Sequence, residues 1–232
     1  MSALLSLDAV TFRYWRGQRP VHALEEISFD LEAGELGGIW GDRGAGKTTL
    51  AKVVAGLLSP DHGEVVFEGQ PLPPGTGVLH PGIGFASRRG PLLEDLTVEE
   101  WIATTLLDTF SWRQAIGRAR LALGRVGAEG IGGARWADLS DSERMLTAIA
   151  HAIVRGPRLL VVDDPVAGLG VLGRATVMEL LRAVADHGVA VLMTAADVSE
   201  LHGANRLWAL EAGRLDGPPA RPMGTVVRLR GA

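Results

Sequence analysis

The stretch Gly41-Asp-Arg-Gly-Ala-Gly-Lys-Thr48 constrains this chain more than any other, because it fills every position of the spacing G-x-x-x-x-G-K-[ST]. Before it runs an apolar segment, Glu35–Trp40, that reads as a strand. After it Leu50, Val53, Val54, Leu57 and Leu58 recur at helical spacing over Lys47–Leu58, and Ser59-Pro60 supplies a stop. A strand, a glycine-rich turn and a helix in that order are the setting in which this spacing cradles phosphate. Glycines let successive backbone N–H groups curl inward onto phosphate oxygens, and the helix N-terminus adds its partial positive charge. Lys47 is then placed to reach β- and γ-phosphates, and the Thr48 hydroxyl to ligate Mg²⁺. Gly41, Asp42, Arg43, Gly44, Ala45, Gly46 and Thr49 complete the candidate loop.

A second element carries related chemistry. Leu159–Val162 is an unbroken apolar run ending in Asp163-Asp164-Pro165, the pattern of a buried parallel strand with carboxylates at its C-terminal edge. Asp163 is the candidate to hold Mg²⁺ through water, and Asp164 the candidate to orient and polarise an attacking water. Both then act on one nucleotide.

Between and around these segments, the pattern alternates strands with helices. Leu5–Arg13 and Leu24–Leu31 alternate like antiparallel strands with one exposed face, and Glu64–Glu68 and Ile83–Ala86 are further short strands. Residues 69–82 read as loop. Thr97-Val-Glu-Glu100 is a capping box opening a helix whose stripe is Val98, Trp101, Ile102, Leu106 and Leu107. Arg113–Val126, Asp141–Val154 and Val171–Asp186 are further helices, the last capped by Gly188. Val189–Thr194 is another buried strand, and Asn205–Glu211 with Gly213 a late hairpin. The expected class is α/β: a mostly parallel sheet, an N-terminal antiparallel β subdomain, and an inserted helical subdomain over about residues 88–155. Residues 1–87 and 156–232 supply the core.

The chain's 232 residues suit one large domain or a core with a small satellite. Zero cysteines exclude thiolate zinc sites, iron–sulfur clusters and a cysteine nucleophile. A net charge of −4 argues against a generally cationic nucleic-acid binder, so no nucleic-acid partner is expected. The longest apolar run, Val189–Ala196, falls far short of the ~20 residues a bilayer span needs, and the N-terminus lacks the basic and apolar regions of a signal peptide. A cytoplasmic location follows as the expectation. Mean hydropathy of +0.17 fits strands buried on both faces and a docking surface for an apolar partner.

The six histidines (His22, His62, His80, His151, His187, His202) sit in contexts that read as solvated or packing positions. Trp101 and Trp112, in the helical segment, are the candidates for contact with a membrane partner. Arg221, Arg228 and Arg230 read as a solvated edge.

Over its whole length the chain resembles the nucleotide-binding subunits of the ATP-binding cassette (ABC) family. The resemblance lies in order and spacing as well as in the phosphate loop. Tyr14, the single tyrosine, falls where the family stacks an aromatic ring on adenine. Ser59-Pro-Asp-His-Gly-Glu64 resembles the turn after the phosphate-loop helix, and Leu96-Thr-Val-Glu-Glu100 the segment after the Q-loop. Leu139-Ser-Asp-Ser-Glu-Arg144 stands in the place of the LSGGQ signature, one helix ahead of the Asp163 strand. The resemblance implies a P-loop NTPase core in the ABC ATPase fold, with ATP and Mg²⁺ as cofactors. It also implies ATP clamped between one subunit's P-loop and another's signature, in a homo- or heterodimer.

Five motifs depart from the family pattern. The Q-loop glutamine is Arg88, which cannot ligate Mg²⁺ but can pair with phosphate or with Asp163. The signature's two glycines are Asp141 and Ser142, leaving Ser140 as the retained contact. Asp141 either satisfies its own helix N-terminus or weakens the phosphate clamp. The catalytic-base position holds Asp164 in place of glutamate. The D-loop aspartate is Gly170, and the switch histidine, expected near Thr194, is missing from Thr194-Ala-Ala-Asp197. The pattern keeps ATP binding and weakens hydrolysis.

The implied role is the ATPase subunit of a transporter whose transmembrane permease subunits are separate chains, placing it peripherally on the inner face of the membrane. Two alternatives stand beside it. One is a regulatory, nearly non-hydrolysing cassette paired with an active one. The other is a soluble non-transport ABC protein, which the single-cassette length and the lack of a basic surface disfavour.

Overall fold

The computed structural model describes residues 3–73, 77, 79–90 and 95–220. Arg221, Arg228 and Arg230 lie outside them. Two sheets organise the chain, with strand orders β2-β1-β4-β5 and β10-β9-β3-β8-β7-β6.

The first sheet is built on a long antiparallel hairpin, β1 (Leu5–Arg16) and β2 (Arg19–Leu31), with β4 (His62–Phe67) on the other side of β1. Both hairpin strands run beyond the apolar alternation in the sequence. Tyr14 pairs with Val21 and Trp15 with Pro20, so strand formers near the tip extend the ladder although charged neighbours mask them. His22 therefore stands in a strand. A two-residue strand, β5 (Gln70–Pro71), lies inside the segment read as loop; it pairs with Val66 and Phe67 and is too short to leave a periodic signal.

The second sheet is parallel except at one edge. β3 (Leu36–Trp40) pairs in parallel with β8 (Ala190–Ala195) and β9 (Arg206–Glu211), while β7 (Leu159–Asp163) pairs in parallel with β8 and with β6 (Ile83–Ser87). β10 (Arg214–Ala220) closes the edge antiparallel to β9. Successive side chains of β7 point to opposite faces, and both faces are covered. Leu159 and Val161 join Leu50 and Val53 of α1 (Lys47–Val54), whereas Leu160 and Val162 join the helices of the opposite layer. That two-sided burial explains the absence of polar residues from Leu159–Val162. Each fully buried Leu or Val contributes about 1.5–3 kcal/mol.

Helix α1 ends before Leu57 and Leu58, and the reason is Gly56. Its φ of +73° lets the Leu57 N–H bond the Lys52 carbonyl at 2.9 Å and its own N–H bond that of Val53 at 3.0 Å. This is a Schellman closure, which stops the helix earlier than Ser59-Pro60.

Four more helices complete the fold: α2 (Val98–Thr104), α3 (Trp112–Arg125), α4 (Asp141–Ile153) and α5 (Val171–Asp186). The expected Thr97–Glu100 capping box opens α2, and Ser140–Glu143 forms another on α4. α2 stops at Thr104, so Leu107 leaves the stripe and is exposed. Trp101 is half-buried, with its ring stacked on His151 at 4.3 Å and edge-on to Trp136 at 5.2 Å. Burial in this aromatic setting pushes the His151 pKa down to about 4, so at neutral pH it is an uncharged packing group. Trp112 stays exposed. Among the described residues no helix is long and apolar enough to cross a membrane.

Candidate nucleotide-binding site

The strand order decides what meets what. β8 lies between β3 and β7, so the loop that follows β3 and the carboxylates that end β7 flank the C-terminal end of β8. A cleft of about 580 Å³ opens there, lined by Tyr14, Val21, His22, Ala23, Arg43, Gly44, Gly46, Lys47, Thr48, Thr49, Asp163, Asp164 and Ala196. Of the other expected loop residues, Gly41, Asp42 and Ala45 line the neighbouring hollow. Their backbone shapes the loop, as where the Ala45 N–H bonds the Asp42 carbonyl at 3.1 Å.

Gly46 is where the loop requires glycine. Its φ is +108°, and a Cβ there would come 2.4 Å from the Ala23 carbonyl oxygen. Lys47 follows as the first residue of α1, and its Nζ donates to the Asp42 carbonyl at 2.9 Å and to that of Gly41. The ammonium is held inside the curl of the loop by neutral acceptors, where phosphate oxygens would offer it charged ones.

Thr48, Asp163 and Thr194 form one chain of oxygens. Thr48 Oγ1 donates to Asp163 Oδ1 at 3.2 Å, and Thr194 Oγ1 donates to the same oxygen at 2.8 Å. The Asp164 N–H in turn donates to Thr194 Oγ1 at 3.0 Å. Thr194, buried at the end of β8, thus holds both members of the carboxylate pair at once. In the sequence this position stands out only for the missing histidine.

Hydroxyl and carboxylate oxygens suit Mg²⁺, which takes few protein ligands and fills its shell with water and substrate phosphates. Among the described residues no cluster of three or more His, Cys, Asp or Glu could hold a metal by itself.

Asp164 is strained and poorly solvated. It adopts φ +57°, and its Oδ1 is buried with no hydrogen-bond partner. Burial, then the nearby Asp163 and Glu200 charges, push its pKa up, against the pull of Lys47 and Arg88. A carboxyl with a raised pKa loses folding stability as pH rises through that pKa, because ionising it costs more in the fold than in the unfolded chain. Asp164→Asn, which tolerates the left-handed backbone, is expected to raise Tm at pH 7 by up to a few degrees. That gain should shrink as pH falls into the range where Asp164 is protonated; a thermal melt series against pH checks it.

Tyr14 sits at the cleft mouth, 42% exposed, its hydroxyl 3.2 Å from Thr49 Oγ1 and its ring edge-on to Phe12 at 5.0 Å. The ring is fixed over the start of α1, where a flat base can lie on it. His22, which the sequence placed in a solvated context, lines the same cleft.

Arg88 and Ser140 are not brought to the cleft. Arg88 meets neither Asp163 nor a loop amide; it bonds the Ala167 carbonyl at 2.7 Å and pairs with Asp141 at 3.3 Å. The Ser140 hydroxyl donates to Glu143 at 2.7 Å and accepts from the Glu143 N–H at 3.3 Å, so it is committed to capping α4. Capping by Ser140 leaves the Asp141 carboxylate free of that duty, and it faces Arg88 and Arg144. Near the empty histidine position, Glu200 takes the Ala196 N–H at 3.2 Å and pairs with Arg174 at 3.3 Å, fixing the loop after β8.

The family model of the ABC transporter matches residues 24–167, more than half of the chain. The chain belongs to the ABC transporter family. Its matched span runs from the strand beneath the P-loop to the residues just past Asp163-Asp164. Solved structures agree on the fold of this cassette. The dimeric ATP-binding cassette MJ0796, in a post-hydrolysis state bound to ADP and Pi, is 23% identical with a TM-score of 0.83, over 95% of this chain and 99% of that one. The protein cbiO1 from Clostridium perfringens, part of the ABC transporter complex cbiONQ, is 23% identical with a TM-score of 0.81, covering 96% and 90%. A nucleotide-free cassette from another ABC transporter is 19% identical with a TM-score of 0.79, covering 95% and 92%. At these identities the likeness is one of fold. Family membership makes the chain a transporter-type ATP-binding cassette, a class of ATPases.

Proposed function

We propose that this cassette binds ATP with Mg²⁺ in the cleft between Tyr14 and Asp164, and that it is the ATP-binding subunit of a transporter with separate permease chains. The carrying observation is the convergence of Lys47, Thr48 and Asp163, from two different strand–helix junctions, on one cleft with an aromatic ring at its mouth. The curled amides and the α1 N-terminus receive the phosphates, Tyr14 receives the base, and Asp164 faces where a water would attack. Bound Mg²⁺ would neutralise charge developing on the phosphates.

The cassette works as a pair, with a second copy or a different cassette supplying the facing surface, and acts at the inner face of the cell membrane from the cytoplasm. Residues 88–155 form the lobe that meets the permease, with Trp112 on its exposed surface. The cbiONQ complex containing cbiO1 supports an assembly of this kind.

A second reading, a regulatory cassette that binds ATP and hardly hydrolyses it, is favoured by the Ser140 cap and the Arg88–Asp141 pair. Both are groups drawn away from phosphate.

Affinity purification of the tagged chain from native membranes tests the transporter reading. A polytopic membrane protein is expected at near-stoichiometric yield, and a second, different cassette in the same eluate would mark the regulatory form. Recovery with cytosolic partners alone would reject both.

A further inference from the structure

Helix α3 carries four arginines and no acidic residue, in a chain whose net charge is −4. One of the four, Arg120, is held by both oxygens of Glu99, at 2.7 and 2.9 Å. Among the described residues, Arg113, Arg118 and Arg125 have no carboxylate at ion-pair distance, whereas eleven arginines of the fold do. The Arg118 guanidinium lies 3.9 Å from the Phe110 ring centroid, which fixes its plane and leaves its charge uncompensated.

The helical repeat gathers these charges on one side. Arg113, Gly117, Leu121 and Arg125 follow one another every four residues, with Gln114 and Arg118 beside them, and all six are exposed. At about 1.5 Å of rise per residue, Arg113 and Arg125 stand about 18 Å apart along the axis. Leu121, 67% exposed, lies between them. An added Cβ at Gly117 would meet nothing within 4 Å, so packing inside the chain does not call for glycine there, although glycine weakens a helix interior. Its bare backbone lets a flat surface come down to the helix while the guanidiniums on either side turn toward that surface. The opposite face is spent on the core, through Ala115, Ala119, Ala122 and Leu123.

We propose that this outer face of α3 docks on the anionic headgroups of a lipid bilayer, so that the cassette touches the membrane directly. The inference goes beyond the transporter reading and rests on neither a bound nucleotide nor a permease. Guanidinium groups take phosphate through paired N–H donors, and these three have no carboxylate to give up first. Two features favour a bilayer over a nucleic acid. An exposed leucine between the guanidiniums suits the boundary between headgroups and acyl chains, not a phosphodiester backbone. A plane also meets this face alone, whereas a long polyanion would run on into the acidic remainder of the chain.

Cosedimentation of the full chain with vesicles tests the proposal. At about 50 mM salt it should bind vesicles of equal parts phosphatidylglycerol and phosphatidylcholine about 10²-fold more tightly than vesicles of phosphatidylcholine alone, because each arginine near an anionic surface supplies about fivefold. At about 0.5 M NaCl most of that difference should vanish. Arg113→Gln, Arg118→Gln and Arg125→Gln should each cost about fivefold, and the triple variant should fall to the phosphatidylcholine level. Leu121→Asp, which sets a carboxylate between the guanidiniums, should cost at least as much as any one of them. Arg19→Gln makes the same change in net charge on the first hairpin and should bind as the wild type does. Thermal melts should show every variant folded, since the substituted face packs on nothing.

Equal binding to the two vesicle types, or a triple variant that still binds phosphatidylglycerol as the wild type does, would overturn the proposal. So would binding of duplex DNA with the same dependence on the three arginines, which would make the face a polyanion site. Inorganic phosphate should compete no better than NaCl of equal ionic strength; stronger competition would assign the face to free phosphate and reject the bilayer. Lys47→Ala should bind vesicles as the wild type does, so the vesicle result holds if the nucleotide reading fails. Loss of the vesicle result, in turn, leaves the transporter reading standing.

Discussion

Lys47→Ala is expected to lower affinity for Mg-ATP by about 10²–10³-fold while leaving the fold intact. The Lys47 ammonium now donates to the carbonyls of Gly41 and Asp42, and on nucleotide binding it would trade them for phosphate oxygens. Hydrogen bonds between charged partners are about twice as strong as neutral ones, and they are made where the loop excludes part of the solvent. Subtracting the two carbonyl bonds that are given up leaves a net gain of about 3–4 kcal/mol. Removing Nζ forfeits that gain and leaves the γ-phosphate opposite Asp163 and Asp164 with less compensation. The fold should survive because Lys47 is half-buried at a helix start that Ala accommodates, and the loop's shape is set by Gly46 and by amides. Equilibrium binding of a fluorescent ATP analogue, with a thermal melt as control, checks this. Equal affinity in wild type and variant would show that the cleft is not a phosphate site.

The phosphate loop, the β7 carboxylates and the alternation of strands with helices are legible in the sequence because each follows from local rules. A glycine at φ +108° against a carbonyl has no substitute, and a strand covered on both faces admits no polar residue, as Leu159–Val162 shows. The order of motifs along the chain then suffices for the family. Interactions set by strand order were not legible. Thr194 bridges Asp163 and Asp164 only because β8 lies between β3 and β7, and nothing near Thr194 in the chain signals those partners. Arg88 was expected to seek phosphate or Asp163, but the nearest anion in three dimensions is Asp141, on a helix that packs on β6. Local competition decided the smaller differences. Gly56 ended α1 ahead of Pro60, the aromatic residues near Gly17 lengthened the first hairpin, and His151 displaced solvent from the Trp101 ring.

The isolated chain is expected to turn over ATP at about 10⁻³ s⁻¹, some 10⁴-fold below a typical enzyme of ~10 s⁻¹. Phosphoryl transfer depends almost wholly on positioning and electrostatics, so each displaced group raises the barrier directly. Asp164 is shorter than glutamate by one C–C bond of about 1.5 Å, and its buried Oδ1 has no hydrogen-bond partner to orient it. At the end of β8 the Thr194 hydroxyl is spent on Asp163, so no imidazole or free donor stands there for the γ-phosphate. On the facing surface that a second copy would present, Ser140 is engaged with Glu143, and Asp141 with Arg88 and Arg144. If two of these defects cost ~10²-fold each, the stated turnover follows. Asp164→Glu alone should recover less than about tenfold, because the remaining defects act on the same transition state and such losses are not additive. Steady-state phosphate release from the wild type and from Asp164→Glu decides the matter. Wild-type turnover near ~1 s⁻¹ would mean that Thr194 and Asp164 hold the water as well as histidine and glutamate do.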